Sequence, residues 1–248
     1  GIKMKKLLLI LLTLNFTVVS SQIYTTRTIE IEAGQMDKFI KSAGEKTQKF
    51  NNDENNFAYY TFEILSGENT GKIFRVQVGS SEMMDAGLDQ AELDYWGKNV
   101  GPYIKSNSVG RTVMWSRANN ASFVPESSSD NDLRMVIFYN YKDSGEQDFW
   151  RFRRRVKIAM TESGYGSRMS VLVCTSGCEG NVVQVRFHHD GFTGQSSDYG
   201  EPLQNMIAKY NELYGEDAYE QDSNSVDATL EDNGRIIRHH EIIPELSS

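Results

Sequence analysis

The four histidines of this 248-residue chain fall in two doublets, His188-His189-Asp190 and His239-His240-Glu241. Each doublet sits on or just after a segment with the β-branched, alternating composition of a strand, and adjacent strand residues point to opposite faces. At most one imidazole of each pair therefore faces a given side. With one strand between the two doublets, Asn140 is expected to lie between His188 and His239. Two imidazoles with nearby oxygens could hold a metal ion, but the spacing matches no metal-binding motif. Exposed or hydrogen-bonded histidines are the simpler expectation, and neither a metal nor a cofactor is implied. An inward histidine beside a tyrosine or carboxylate would suit general-base catalysis, for which His188 and Tyr59 are the candidates. The chain has no phosphate-binding glycine loop, no serine nucleophile elbow and no cysteine–histidine nucleophile pattern.

A second constellation pairs arginine with glutamine on two strand-like segments. On Lys72–Val78 the apolar set Phe74, Val76 and Val78 is expected to face covering helices, leaving Ile73, Arg75 and Gln77 on the inner face. On Asn181–His188, Val183, Val185 and Phe187 oppose Val182, Gln184, Arg186 and His188. The same parity adds Glu30, Tyr59, Thr61, Glu63 and Asn140 to the inner face. From Arg111–Arg117 it adds either Arg111, Val113 and Trp115 or the alternate set Thr112 and Met114. Lone charges inside a protein are costly unless paired. Glu30 and Glu63 could pair with Arg75 and Arg186 in a structural network or at a wet rim. Alternatively, Glu63, Arg75, Gln77, Trp115, Asn140, Gln184, Arg186, His188 and His239 line a polar cavity with aromatic walls.

Two further features carry chemistry. Cys174 and Cys178 bracket a turn, and in an oxidising compartment a disulfide pinning that turn is expected; the spacing is not that of a redox or zinc motif. The run Trp150-Arg151-Phe152-Arg153-Arg154-Arg155 lies in a helical pattern that turns Arg151, Arg154 and Arg155 outward. They form a solvated basic face that could dock the acidic stretch Glu216–Asp232, or a surface for a protein partner.

The elements that must position these residues occur twice, about 110 residues apart. Phe39 lies over Phe149, and Tyr59–Leu65 followed by Ser-Gly lies over Met169–Thr175 followed by Ser-Gly. Strand patterns at Thr28–Glu32, Phe57–Leu65, Lys72–Val78 and Arg111–Arg117 alternate with helical patterns at Met36–Phe50 and Ala91–Ile104, where Gly101-Pro102 should kink the chain. The second set has strands at Leu133–Tyr141, Arg168–Cys174, Asn181–His188 and Arg235–Ile242, with helical stripes from Phe149 to Ala159 and from Leu203 to Leu213. The order β-α-β-β-α-β is that of the ferredoxin-like unit, which leaves one sheet face bare. Two such units with their bare faces packed together give an α+β barrel. This arrangement resembles the dimeric α+β barrel superfamily, which includes antibiotic-biosynthesis-monooxygenase-like proteins, here fused in one chain. The resemblance rests on element order, so it assigns no catalytic residue.

Composition bounds the rest. Lys3, Lys5 and Lys6 followed by apolar Leu7–Leu14 and small residues at Val19-Ser20-Ser21 read as a cleavable secretory signal over residues 1–21, too short for a stable membrane anchor. Cleavage would start the mature chain near Gln22, in the periplasm or outside the cell, and move the formal charge from −8 to −11. Such an acidic chain is unsuited to sequence-independent nucleic-acid binding. The first unit then spans residues 22–124, a Ser-rich linker 125–132, and the second unit 133–248 with an acidic insertion at 215–233. The expected role is binding of a small, anionic or aromatic molecule between the sheets, without assured catalysis. The alternatives are a cofactor-independent monooxygenase- or isomerase-like enzyme, and a structural or protein-interaction module.

Overall fold

The computed structural model describes residues 22–53, 56–126 and 131–248, so the segment read as a signal lies outside the described residues. Eight antiparallel strands close into a barrel: β1 (Ile23–Ile29), β2 (Ala58–Ile64), β3 (Ile73–Gly79), β4 (Val113–Arg117), β5 (Leu133–Tyr141), β6 (Met169–Ser176), β7 (Asn181–His189) and β8 (Leu230–Ile242). Read around the barrel, the order is β4-β1-β3-β2 and then β8-β5-β7-β6. The two halves therefore order their strands alike. They meet at two seams, one with register pairs Phe62↔Ile242, Glu63↔Glu241 and Ile64↔His240, the other joining β4 to β6 across a bulge at Met114/Trp115. Each strand has a neighbour on both sides, although β8 meets β2 only over His240–Ile242.

Helices cover the outside. Against the first half lie α1 (Met36–Phe50), α2 (Ser81–Ala86) and α3 (Gln90–Tyr95). The helical pattern expected to reach Ile104 instead widens into a π turn at Trp96–Val100 and a tight turn at Gly101–Tyr103, because Pro102 cannot continue an α-helix. Against the second half lie α4 (Glu146–Glu162), α5 (Gly191–Asp198), α6 (Glu201–Tyr214) and α7 (Ala218–Ala228). Part of the acidic insertion is thus the helix α7. Its Asp222 accepts hydrogen bonds from Arg151 (2.9 Å), Arg155 (2.7 Å) and the Tyr210 hydroxyl, which fastens α7 to α4 and α6. Arg154 stays exposed, whereas Arg153 is buried against Phe152.

Three apolar clusters result. Two lie between sheet and helices: Ile29 and Ile73 against Phe39, Ala43 and Val100 in the first half, and Met135, Ile137, Val183 and Val185 against Phe149, Phe152, Val156 and Met206 in the second. The third fills part of the barrel interior with Phe62, Ile64, Phe74, Val76 and Val78. The parity expected for the second half therefore holds on β7, and the first half is reversed. Phe74, Val76 and Val78 face inward, and Ile73, Arg75 and Gln77 face the helices together with Tyr59 and Thr61, their register neighbours on β2. Both faces of a closed, helix-covered sheet are buried, so alternation alone does not say which face is the interior.

The segment after β8 returns to the first half. Backbone bonds join Ile243 N to Thr61 O (2.8 Å) and Ser248 N to Tyr59 O (2.9 Å). Leu246 is fully buried in the cluster with Phe39 and Ala43, and Gly44 of α1 admits the approach, since a Cβ there would lie 2.8 Å from the Glu245 carbonyl oxygen. Cys174 and Cys178 form a disulfide at the turn after β6, where Gly177 takes a φ of 85°. Among the described residues, no helix is long and apolar enough to cross a membrane. Leu246→Ala is expected to destabilise the whole fold by about 2–5 kcal/mol, read as a lower urea midpoint with an unchanged slope. An unchanged midpoint would show that the terminal turn is not part of the first-half core.

Candidate functional site

The interior face of the second half carries the polar chemistry. Register places His240, Arg134 and His188 in one row across β8, β5 and β7. The next row holds Arg238, Val136, Arg186 and Ser170, and the third holds Ile236, Phe138, Gln184 and Leu172. From these rows Arg134, His188, Arg186, Ser170 and Leu172 border a cavity of about 700 Å³, walled also by Tyr24, Tyr60 and Phe62 from the first half and by Arg117 and Arg168.

Arg134 is the pivot. It is buried, its guanidinium lies 3.3 Å from the centre of the Phe62 ring, and it donates to His240 Nδ1 at 3.2 Å. That bond makes Nδ1 the acceptor and leaves the proton of a neutral His240 on Nε2, which is buried without a partner. Burial, reinforced by the neighbouring Arg186 charge, holds the Arg134 pKa well below its usual range. Arg186 is buried too, and burial pulls it down to about 9. Gln184, fully buried, accepts from Arg186 Nε (2.9 Å) and NH2 (2.6 Å) and so fixes the direction of that guanidinium. Among the described residues, no carboxylate forms an ion pair with Arg134 or Arg186. Asp132 borders the cavity, and its carboxylate accepts from the Gly191 amide at 2.6 Å.

His188 is neutral at pH 7. Burial first, then the charges of Arg134, Arg168 and Arg186, keep its pKa far below 6.5, and its Nε2 has no hydrogen-bond partner. His188 thus borders the cavity as a neutral imidazole, and the arginines that disfavour its protonation would steady a bound anion.

Of the residues expected to share one inner face, Gln184, Arg186, His188 and Trp115 are inside. Trp115 is buried away from the cavity, with Nε1 donating to Thr26 Oγ1 at 2.9 Å. Asn140 lies at the opposite end of β5 from Arg134 and His188, beside the Glu179 carbonyl, so it does not stand between two histidines. His239 faces α5, where it meets Gln195 (3.1 Å) and Ser66 (3.1 Å). Tyr59, Glu63, Arg75 and Gln77 lie on the helix-covered face of the first half. Glu30 pairs with Lys105 (2.6 Å) and Lys72 (3.5 Å) rather than with an arginine. Arg134 and His240 are among the interior residues missed from the sequence, together with Tyr60, Ser170 and Arg238. The alternation already placed His240 opposite His239, but an arginine at the start of an apolar run reads as a strand end.

No family model matches the chain, and no curated protein matches it. A provisionally assigned monooxygenase from Lactobacillus acidophilus superposes with a TM-score of 0.60 at 12% identity, covering 90% of this chain and 94% of the other. A similarly described protein from Fusobacterium nucleatum gives 0.62 at 10% identity, with 90% and 93% covered. Chlorite dismutase from Candidatus Nitrospira defluvii gives 0.53 at 9% identity, with 92% and 94% covered. The likeness shows a shared fold, an antiparallel eight-stranded barrel covered by helices. At these identities the likeness carries architecture and no residue roles.

The depressed imidazoles have a consequence for stability. Above the ordinary value of 6.5, His188 and His240 are neutral in both folded and unfolded chains and contribute nothing to the pH dependence. As pH falls through that value, the unfolded chain takes up protons that the fold refuses, so stability drops by up to about 1.4 kcal/mol per pH unit for each histidine. Urea unfolding from about pH 7 to pH 5 should show this loss, flattened when His188→Gln and His240→Gln are combined. Equal slopes with and without the substitutions would assign the loss to other groups.

Proposed function

We propose that the barrel interior binds a small anionic molecule with an aromatic or planar body. The observation that carries this is a cavity of about 700 Å³ whose buried Arg134 and Arg186 have no carboxylate partner among the described residues. Burying such charges is costly, and a bound anion would offset the cost while Tyr24, Tyr60 and Phe62 take up its apolar part. Arginines gathered in one concavity of a protein of net charge −8 support an anion there rather than over the whole surface.

A second reading is catalytic: a cofactor-independent, monooxygenase- or isomerase-like reaction in which His188 takes a proton from a bound acid. The unpartnered Nε2 of His188 favours it, and the likeness to provisionally assigned monooxygenases gives it a compatible scaffold. Two statements belong with either reading. The shared strand order supports the halves being copies of one ferredoxin-like β-α-β-β-α-β unit. The Cys174–Cys178 disulfide supports maturation in an oxidising, exported setting.

Titration with 2-naphthoate, followed by thermal shift and calorimetry, tests the binding reading. Saturable binding weakened at least tenfold by Arg186→Gln is expected, since a charge-assisted bond is worth about 1.5–3 kcal/mol. Without ligand, the same substitution should leave stability unchanged or raise it, because a buried uncompensated charge is removed. Unaltered naphthoate affinity in Arg186→Gln would defeat the assignment. Loss of turnover with retained affinity in His188→Ala would favour the catalytic reading.

A further inference from the structure

The first half has a cavity of its own, on the other side of its sheet from the barrel interior. It lies beneath α1 and α3, has a volume of about 170 Å³, and is bordered by Arg27, Tyr59, Arg75 and Gln77 from the strands and by Lys46, Glu92 and Trp96 from the helical layer. Ile29, Leu88, Leu93, Ile104 and Val109 complete it with an apolar wall. We propose that this cavity is a separate binding site for a small monocarboxylate with a short apolar body. The inference is independent of what the barrel interior binds.

Charge placement is the first argument. Arg27 and Arg75 are direct register partners on β1 and β3, so both project from the same sheet face at neighbouring positions. Like charges directly opposite each other on adjacent strands destabilise a sheet. Arg27 is exposed and donates to Thr112 Oγ1 at 2.7 Å, and the bordering carboxylate, Glu92, attracts Arg75 without forming an ion pair with it. The Glu92 Oε1 is held by the buried Lys46, which also donates to Asn51 Oδ1 at 2.7 Å. Three cations therefore face one carboxylate at this cavity, a surplus of two positive charges that an anion could partly offset.

The way Arg75 is held is the second argument. It is 6% exposed, and its donors reach two neutral hydroxyls, Thr61 Oγ1 at 3.1 Å and Thr47 Oγ1 at 3.3 Å. The Tyr59 ring lies 4.3 Å and the Trp96 ring 5.1 Å from its guanidinium carbon. Burial pulls its pKa down to about 10, which leaves it charged at neutral pH. Gln77 adds a neutral donor: its Oε1 accepts from Thr25 at 3.1 Å, which leaves the amide nitrogen for a ligand oxygen.

Size and wall chemistry set the ligand class. A volume of about 170 Å³ is well under the roughly 300–1,000 Å³ of pockets that hold drug-sized ligands, which favours a ligand of a few heavy atoms over a nucleotide. A carboxylate on a few carbons fits, with its oxygens toward Arg27, Arg75 and Gln77 and its carbons against Leu93 and Ile104. Trp96 at the wall makes occupancy visible in its emission.

The test titrates the full chain with butyrate, and with the neutral isostere butyramide, recording tryptophan emission and thermal stability. A saturable butyrate effect is expected, absent with butyramide, weakened about tenfold by Arg75→Gln and retained in Arg186→Gln. Trp96→Phe should remove the emission change and keep the thermal shift. If Arg75→Gln does not fold, Arg27→Gln at the exposed mouth serves instead, with a several-fold loss expected. No saturable effect, equal effects of butyramide, or loss in Arg186→Gln with retention in the Arg75 and Arg27 variants would each overturn the site. Failure of naphthoate binding in the interior leaves every one of these outcomes readable.

Discussion

Closing the sheet into a barrel carries Arg134 and Arg186 out of water, and the cost of that transfer must be met inside. Part is met locally, by the Phe62 ring under one guanidinium and by the Gln184 carbonyl that accepts twice from the other. Part is met by the neighbours remaining uncharged. His188 and His240 stay neutral first because burial disfavours the charged imidazole and then because the arginine charges nearby add to that. The interior is therefore a set of groups whose protonation states depend on one another, and its chemistry is decided by two arginines more than by any imidazole.

The two halves solve the same packing problem in opposite senses. In the second half the polar residues of β5 and β7 face the interior, and the apolar residues meet the helices. In the first half the interior face of β2 and β3 is apolar, and Arg75, Gln77, Tyr59 and Thr61 lie beneath α1 and α3. Phe62 and Phe74 thus serve as the floor on which the second half sets Arg134. An interior polar on both sheets would have doubled the buried charge, and one apolar on both would have left no cavity worth wetting.

This asymmetry also explains what could be read from the sequence. Element order, the two hairpins, the turn disulfide and the inward set on β7 were legible, because each rests on local pattern or on cysteine spacing. Which residues share a face was legible as well: Tyr59, Thr61, Arg75 and Gln77 do lie together. Which side of the sheet that face occupies was not, since Phe74, Val76 and Val78 would suit a helix layer as well as a barrel interior. Arg134 escaped notice because its partners Phe62 and His240 are far away in sequence, and burial of an arginine depends on such partners. The docking of Asp222 on Arg151 and Arg155 was foreseeable from charge alone, though the helix that delivers it was not.

The return of Leu246 to the first-half core bears on how the chain reaches its fold. Phe39 and Ala43 leave the ribosome some two hundred residues before the side chain that completes their cluster. During synthesis the first half must wait with that apolar surface unfilled and with strand β2 lacking its β8 neighbour. Such a half is open to wrong pairing with another nascent chain, since an exposed strand edge accepts any matching partner. The first-half core is therefore not complete until residues some two hundred positions later in the sequence are in place.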